Sequence, residues 1–175
     1  LAVAYWDDVL SSSEVAAVLD KLLATSRCTV ELGSGTFAAI TGDAYGYSSK
    51  LYKNITFRGA GQPSIKADHT GLENGTIIKG PLVCDRDGME FYDLGVDSGS
   101  AVVNADYGGT AQEGLMACAN VGSVVGKATR TGVIAKRISA ICKDAASLVH
   151  AFIIENVTGA VIEDIAVCYG THGIV

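Results

Sequence analysis

Residues 150–175 read HAFIIENVTGAVIEDIAVCYGTHGIV. Two short apolar strands follow one another, each running into a Glu-Asn or Glu-Asp pair, and His150-Ala151 at the start returns as His172-Gly173, 22 residues on. Strands of β-branched and small residues that are closed by a turn and restarted at once belong to a chain that climbs one step and repeats. The segment predicts a solenoid rung.

Working outward, one phrase recurs: apolar, polar, Asn-like, apolar, small, apolar. It is read at 52–57 (YKNITF), 91–96 (FYDLGV), 135–140 (AKRISA) and 162–167 (IEDIAV), with spacings of 39, 44 and 27 residues that predict rungs of unequal length. The polar third position (Asn54, Asp93, Arg137, Asp164) is expected where the chain bends between two sheets. There its side chain can bond the turn backbone. The flanking apolar positions are expected to point inward and to stack on their counterparts above and below.

Upstream, Ser11-Ser12-Ser13-Glu14 precedes Val15, Ala16, Val18, Leu19, Leu22 and Leu23. This is helical spacing behind a serine cap and predicts an amphipathic helix over 12–24. A lone helix ahead of a run of strands is expected to cover the first rung. Residues 1–27 are therefore read as an N-terminal segment with a capping helix, and 28–175 as the coil. Short strands are expected at 29–32, 36–40, 52–57, 64–67 and 76–80. Residues 98–132, rich in Gly, Ala and Thr, are read as a protruding loop with one or two weakly patterned rungs. Gly173-Ile174-Val175 falls in the middle of an expected strand, so the coil is expected to continue or to be covered by a partner.

Composition narrows the class. Apolar residues make up 49% of the 175-residue chain and charged residues 18%, with 21 Gly and 2 Pro, which suits many short strands joined by tight turns. A net charge of −6 without clustered Lys or Arg makes nucleic acid and anionic membranes poor partners. No apolar run reaches membrane-spanning length, so membrane insertion is not expected. The five cysteines contain no Cys-x-x-Cys pair and lack histidines at ligand spacing, which argues against zinc. Three Asn-x-Thr sequons, at Asn54, Asn74 and Asn156, are read first as turn residues entering strands.

The helix, the stretch TVELGSGTF at 29–37 and the stretch NITFRGAG at 54–61 together resemble the opening of right-handed parallel β-helix proteins. These form the pectin-lyase-like superfamily, which includes pectate lyases, polygalacturonases and many phage tailspikes. The resemblance covers most of 12–175 and implies an all-β, single-stranded, three-sheet parallel coil. It also implies a polysaccharide or host glycan as partner, a homotrimer in the tailspike case, and an extracellular or virion-surface location. The superfamily's catalytic motifs are incomplete. Neither Pro63 nor Pro81 lies in an Arg-x-Pro-x-x-Arg stretch. Gly170-Thr171-His172-Gly173 is similar to the Gly-His-Gly of polygalacturonases, without the Asn-Thr-Asp, Asp-Asp or Arg-x-Lys that should accompany it.

Candidate site residues follow from residue type. His150 and His172, one rung apart, could act as a base or contact a sugar. Asp93 and Asp97 are candidates for a two-carboxylate hydrolysis, and with Asp85 and Asp87 they could hold Ca²⁺. Tyr92, Tyr107, Tyr169 and Arg86 are candidates for substrate contact. The expected function is glycan binding by the start of a tailspike-like receptor-binding fibre. The alternatives are a secreted polysaccharide lyase or glycoside hydrolase, and a structural coil without ligand.

Overall fold

The computed structural model describes residues 2–6, 28–37, 55–79, 82–84, 87–97, 103–104, 116–122, 129–141, 149–168 and 172–174. The described residues form strands joined by turns, with no helix among them. The helix expected over 12–24 lies outside the described residues.

Among the described residues the main sheet has eight strands. Its path runs through β1 (Ala2–Trp6), β2 (Cys28–Leu32), β4 (Ile55–Arg58), β9 (Glu90–Asp97), β13 (Ile134–Ile141) and β16 (Val161–Cys168), each parallel to the next. Beside this path, β3 (Gly35–Phe37) pairs with β7 (Thr76–Lys79), and β7 pairs with the second half of β9. A second sheet places β11 (Met116–Gly122) between β8 (Leu82–Cys84) and β14 (Val149–Glu155), with β17 (His172–Ile174) beyond β14, all parallel. An antiparallel strand, β10 (Val103–Asn104), joins β11. Two small sheets complete the set: the parallel pair β12 (Arg130–Thr131) and β15 (Val157–Thr158), and the antiparallel hairpin β5 (Ser64–Ile65) and β6 (Leu72–Glu73). Residues 2–6, whose sequence announces no strand, thus belong to the main sheet.

The register of the main sheet is uneven in sequence and even in space. Ala2 lies beside Cys28 and Cys28 beside Ile55, while Thr56, Glu90, Ile134 and Val161 follow one another in register. The steps are therefore 26, 27, 34, 44 and 27 residues. Parallel neighbours need a crossover between them, and the extra residues of the longer steps fall in those connections.

Two columns of special backbone set the path. Asp93, Arg137 and Asp164, each the third position of the repeated phrase, adopt φ of 58°, 56° and 54° and interrupt the pairing midway along β9, β13 and β16. Gly88, Gly132 and Gly159, each two residues ahead of one of these strands, adopt φ of 67°, 66° and 66°. The left-handed region is natural for glycine and reachable for Asp, but it is costly for a long side chain such as that of Arg137. Hydrogen bonds link the turns: Gly88 N donates to Thr131 O (2.9 Å), Ile134 N to Met89 O (3.0 Å) and Val161 N to Val133 O (3.0 Å).

The phrase at 52–57 is out of step with the others. Phe57, not Tyr52, is the register partner of Phe91. Asn54, expected at the same bend as Asp93 and Asp164, lies outside the described residues. After Arg58 the backbone reaches Gly59, whose N–H donates to Tyr92 O at 2.9 Å. A Cβ on Gly59 would meet Asp93 O at 2.1 Å, so only glycine fits there. The chain then leaves the sheet, forms the β5–β6 hairpin and returns at β7.

The core is built from inward columns. Val30, Phe57, Phe91 and Ala135 are consecutive register partners and all buried, and the rings of Phe57 and Phe91 stack at 5.2 Å and 8°. Phe37, Ile78, Val96 and Ala140 form the next column, beside Leu94 and Ile138. The second halves of β9 and β13 are buried throughout, and the hairpin is the cause. Leu72 and Pro63 lie against Gly95, where a Cβ would come within 2.7 Å of each. Leu72, Ile77 and Ile141 form an apolar cluster with Ile65 and Cys168 against it. The segment leading into the hairpin is tied down at three strands: Gly61 N donates to Asp93 O (3.3 Å), Ser139 Oγ to Pro63 O (2.6 Å) and Gln62 Nε2 to Asp164 O (2.9 Å). At its return, the buried Thr76 hydroxyl donates to Gly33 O (2.7 Å) and accepts from Ala60 N (2.8 Å).

Candidate functional site

The hairpin lies over the second halves of β9 and β13, while the outward residues of their first halves are partly exposed. There alternation along each strand turns every second residue outward. Glu31, Arg58, Tyr92, Lys136 and Glu163 are successive register partners and form one outward row across five strands. Thr56, Glu90, Ile134 and Val161 form a second row two residues earlier in each strand. At the usual spacing of parallel strands the first row is about 19 Å long.

Its members are partly exposed and linked. Arg58 Nε lies 4.0 Å from Glu31 Oε1, and the Arg58 guanidinium sits 4.9 Å from the centre of the Tyr92 ring. Tyr92 donates its hydroxyl to Glu90 Oε2 at 3.1 Å, and Thr56 Oγ1 donates to the same oxygen at 3.2 Å. Lys136 Nζ is 3.0 Å from Glu163 Oε2. Burial and the neighbouring Glu90 carboxylate push the Tyr92 phenol above its ordinary value, so it stays protonated as a donor. Two acids and two bases flank one aromatic ring, and the row carries no net charge.

Directly after Tyr92 and Lys136 the two central strands bend, and a further pair forms there. Arg137 donates Nε to Asp93 Oδ1 and Nη2 to Asp93 Oδ2 (2.9 Å), a two-point grip. This hydrogen bonding holds the Asp93 carboxyl below the usual carboxylate range. Arg137 is raised in turn, first by its hydrogen bond to Asp93 and then by the Asp93 charge.

The residues singled out in the sequence are dispersed. Tyr92 stands at the centre of the outward row, and Asp93 stands at its edge, engaged by Arg137. Asp97 is only 2% exposed, beneath the hairpin side of the sheet, and Lys79 donates to its carboxylate. The two aspartates are therefore separate ion pairs. His150 and His172 are direct register partners on β14 and β17. Tyr107, Tyr169, Arg86 and Asp85 lie outside the described residues. Asp87 accepts from Thr131 N at 3.0 Å and so ties one turn to the next. Among the described residues no three His, Cys, Asp or Glu side chains gather as a metal site requires.

The sequence reading missed Glu31, Arg58, Glu90, Lys136 and Glu163. The signal was present, since Tyr92, Lys136 and Glu163 are the second positions of the repeated phrase, and a polar residue there marks the outward face. Compared with protein-family models, curated proteins and solved structures, the chain has no match.

Proposed function

We propose that the chain is part of a right-handed parallel β-helix that binds an extended glycan along the row Glu31, Arg58, Tyr92, Lys136 and Glu163. The observation that carries the reading is that row, in which charged and aromatic side chains stand partly exposed in register across five parallel strands. Arg58 and Lys136 offer donors to ring hydroxyls, and Glu31, Glu90 and Glu163 offer acceptors. The Arg58–Tyr92 pair adds a flat surface of the kind that sugars pack against. The uneven steps between in-register strands and the repeated left-handed bends support a coil of stacked turns. The resemblance to tailspike-like proteins extends the proposal to a receptor-binding role at the cell exterior or virion surface, and to a homotrimer.

The test is a glycan array followed by titration calorimetry on the best ligand. Arg58→Ala and Tyr92→Ala are expected to weaken binding about tenfold or more, equivalent to at least ~1.4 kcal/mol. If no glycan binds, or if both variants bind as tightly as the parent, the proposal fails.

A second reading, a structural module without ligand, rests on a different observation. The outward charges answer one another: Glu31 with Arg58, Lys136 with Glu163, Asp93 with Arg137. On that reading the same variants lower thermal stability while the array stays blank. Released unsaturated or reducing sugar ends would instead favour a lyase or hydrolase.

A further inference from the structure

We propose that Asn74 is a site of spontaneous covalent modification, converting to aspartate and isoaspartate, and that the isoaspartate form loosens the β5–β6 hairpin from the main sheet. Five asparagines occur in the chain, and Asn74 alone is followed by glycine; the others precede Ile55, Ala105, Val121 and Val157. The dipeptide forms the turn between β6 and β7, with φ of 61° at Asn74 and 71° at Gly75, as hairpin turns of Asn-Gly favour. Asn74 is exposed to water. Neither its side-chain amide nor the Gly75 N–H has a hydrogen-bond partner among the described residues. Both reacting groups are therefore unengaged, and no side chain on residue 75 shields the nucleophile.

The step is redox-neutral and needs only water. The Gly75 nitrogen attacks Cγ of Asn74; the Cγ–N bond forms, the Cγ–Nδ2 bond breaks, and Nδ2 leaves as ammonia carrying the proton from the Gly75 nitrogen. Water then opens the resulting five-membered imide. Opening at Cγ returns a normal aspartate, and opening at the main-chain carbonyl carbon leaves isoaspartate, with one extra carbon in the backbone.

The site of that extra carbon is confined. Gly75 O accepts from Gly35 N at 3.0 Å, and Thr76 N donates to Gly61 O at 3.2 Å. A Cβ on Gly75 would meet Gly61 O at 2.3 Å, so the two backbones are in close approach. Lengthening the turn displaces the contacts that seat the hairpin's return on the sheet, whereas a normal aspartate at 74 adds a charge at an exposed position and leaves the path alone.

The experiment ages the purified full chain in mildly alkaline buffer, beside a urea-unfolded sample, and maps both by peptide mass spectrometry with an isoaspartyl methyltransferase assay. Conversion is expected at Asn74 ahead of the other four asparagines, and it is expected to be absent in Asn74→Gln. If folded Asn74 keeps its amide while the unfolded sample converts, or if another asparagine leads, the site assignment is overturned. Limited proteolysis tests the second half. The isoaspartate fraction is expected to be cut between residues 61 and 76 severalfold faster than either the unaged protein or Asn74→Asp. Equal cutting of all three overturns the loosening.

Discussion

Asp93 stands in a left-handed backbone conformation with its carboxylate gripped by Arg137, so it serves the bend in two ways. Glycine would keep the first service and lose the second, while alanine would lose both. Asp93→Gly is therefore expected to unfold at higher denaturant than Asp93→Ala, by on the order of 1 kcal/mol, in urea titrations. The ion pair also makes stability depend on pH. The folded carboxyl lies below its ordinary value of about 3.9, so its contribution is complete above that value and is lost as pH falls through the depressed folded one. The gap in melting temperature between the parent and Asp93→Asn is expected to be constant near neutrality and to close in acid below about pH 4. With side chains 22% and 41% exposed, the pair is screened, and added salt is expected to narrow the same gap.

At the scale of the element, the hairpin explains why the second halves of β9 and β13 are buried on both faces while the first halves alternate. Gly95 is where the hairpin comes closest. Gly95→Val would drive a branched side chain into Pro63 and Leu72, and a loss of about 1–3 kcal/mol is expected from thermal unfolding, with faster proteolysis in 61–76. On the inward face, Phe91→Ala would leave the Phe57 ring without its stacking partner and open a cavity. A loss of about 3–5 kcal/mol is expected, without a change in the outward row.

These elements also mark what the sequence could say. Phe91, Ala135 and Ile162 were aligned by pattern alone, and the register pairs them, because the alternation and the polar bend residue repeat within eight contiguous residues. The stretch at 52–57 carried a similar pattern yet sits out of step, since its strand is split by the hairpin and resumes at β7. No local pattern records that two strands separated by 17 residues of other structure belong to one line. β1 escaped notice for a related reason: AVAYW alternates too little for period-two reading, and its pairing with β2 is decided by the sheet.

For the whole molecule, the parallel sheet holds its register against connections of very different length. Neighbouring strands are related by steps of 26 to 44 residues, yet Glu31, Arg58, Tyr92, Lys136 and Glu163 remain in line. The row responsible for the proposed glycan contact is thus insulated from what happens in the turns. Closing a longer loop costs little, about 0.6 kcal/mol for each doubling of its length.

That insulation makes the molecule a display frame. At the tip of the hairpin, Asp68 accepts from Thr70 N (2.9 Å) and Thr70 Oγ1 (2.7 Å), and residues 67–70 face water away from the sheet. A flexible Gly-Ser peptide spliced between Asp68 and His69 is expected to shift the melting temperature by no more than a few degrees in calorimetry. A foreign epitope placed there would be carried on a short stalk seated across three strands, and copies of the frame would present it at one fixed height beside the open row.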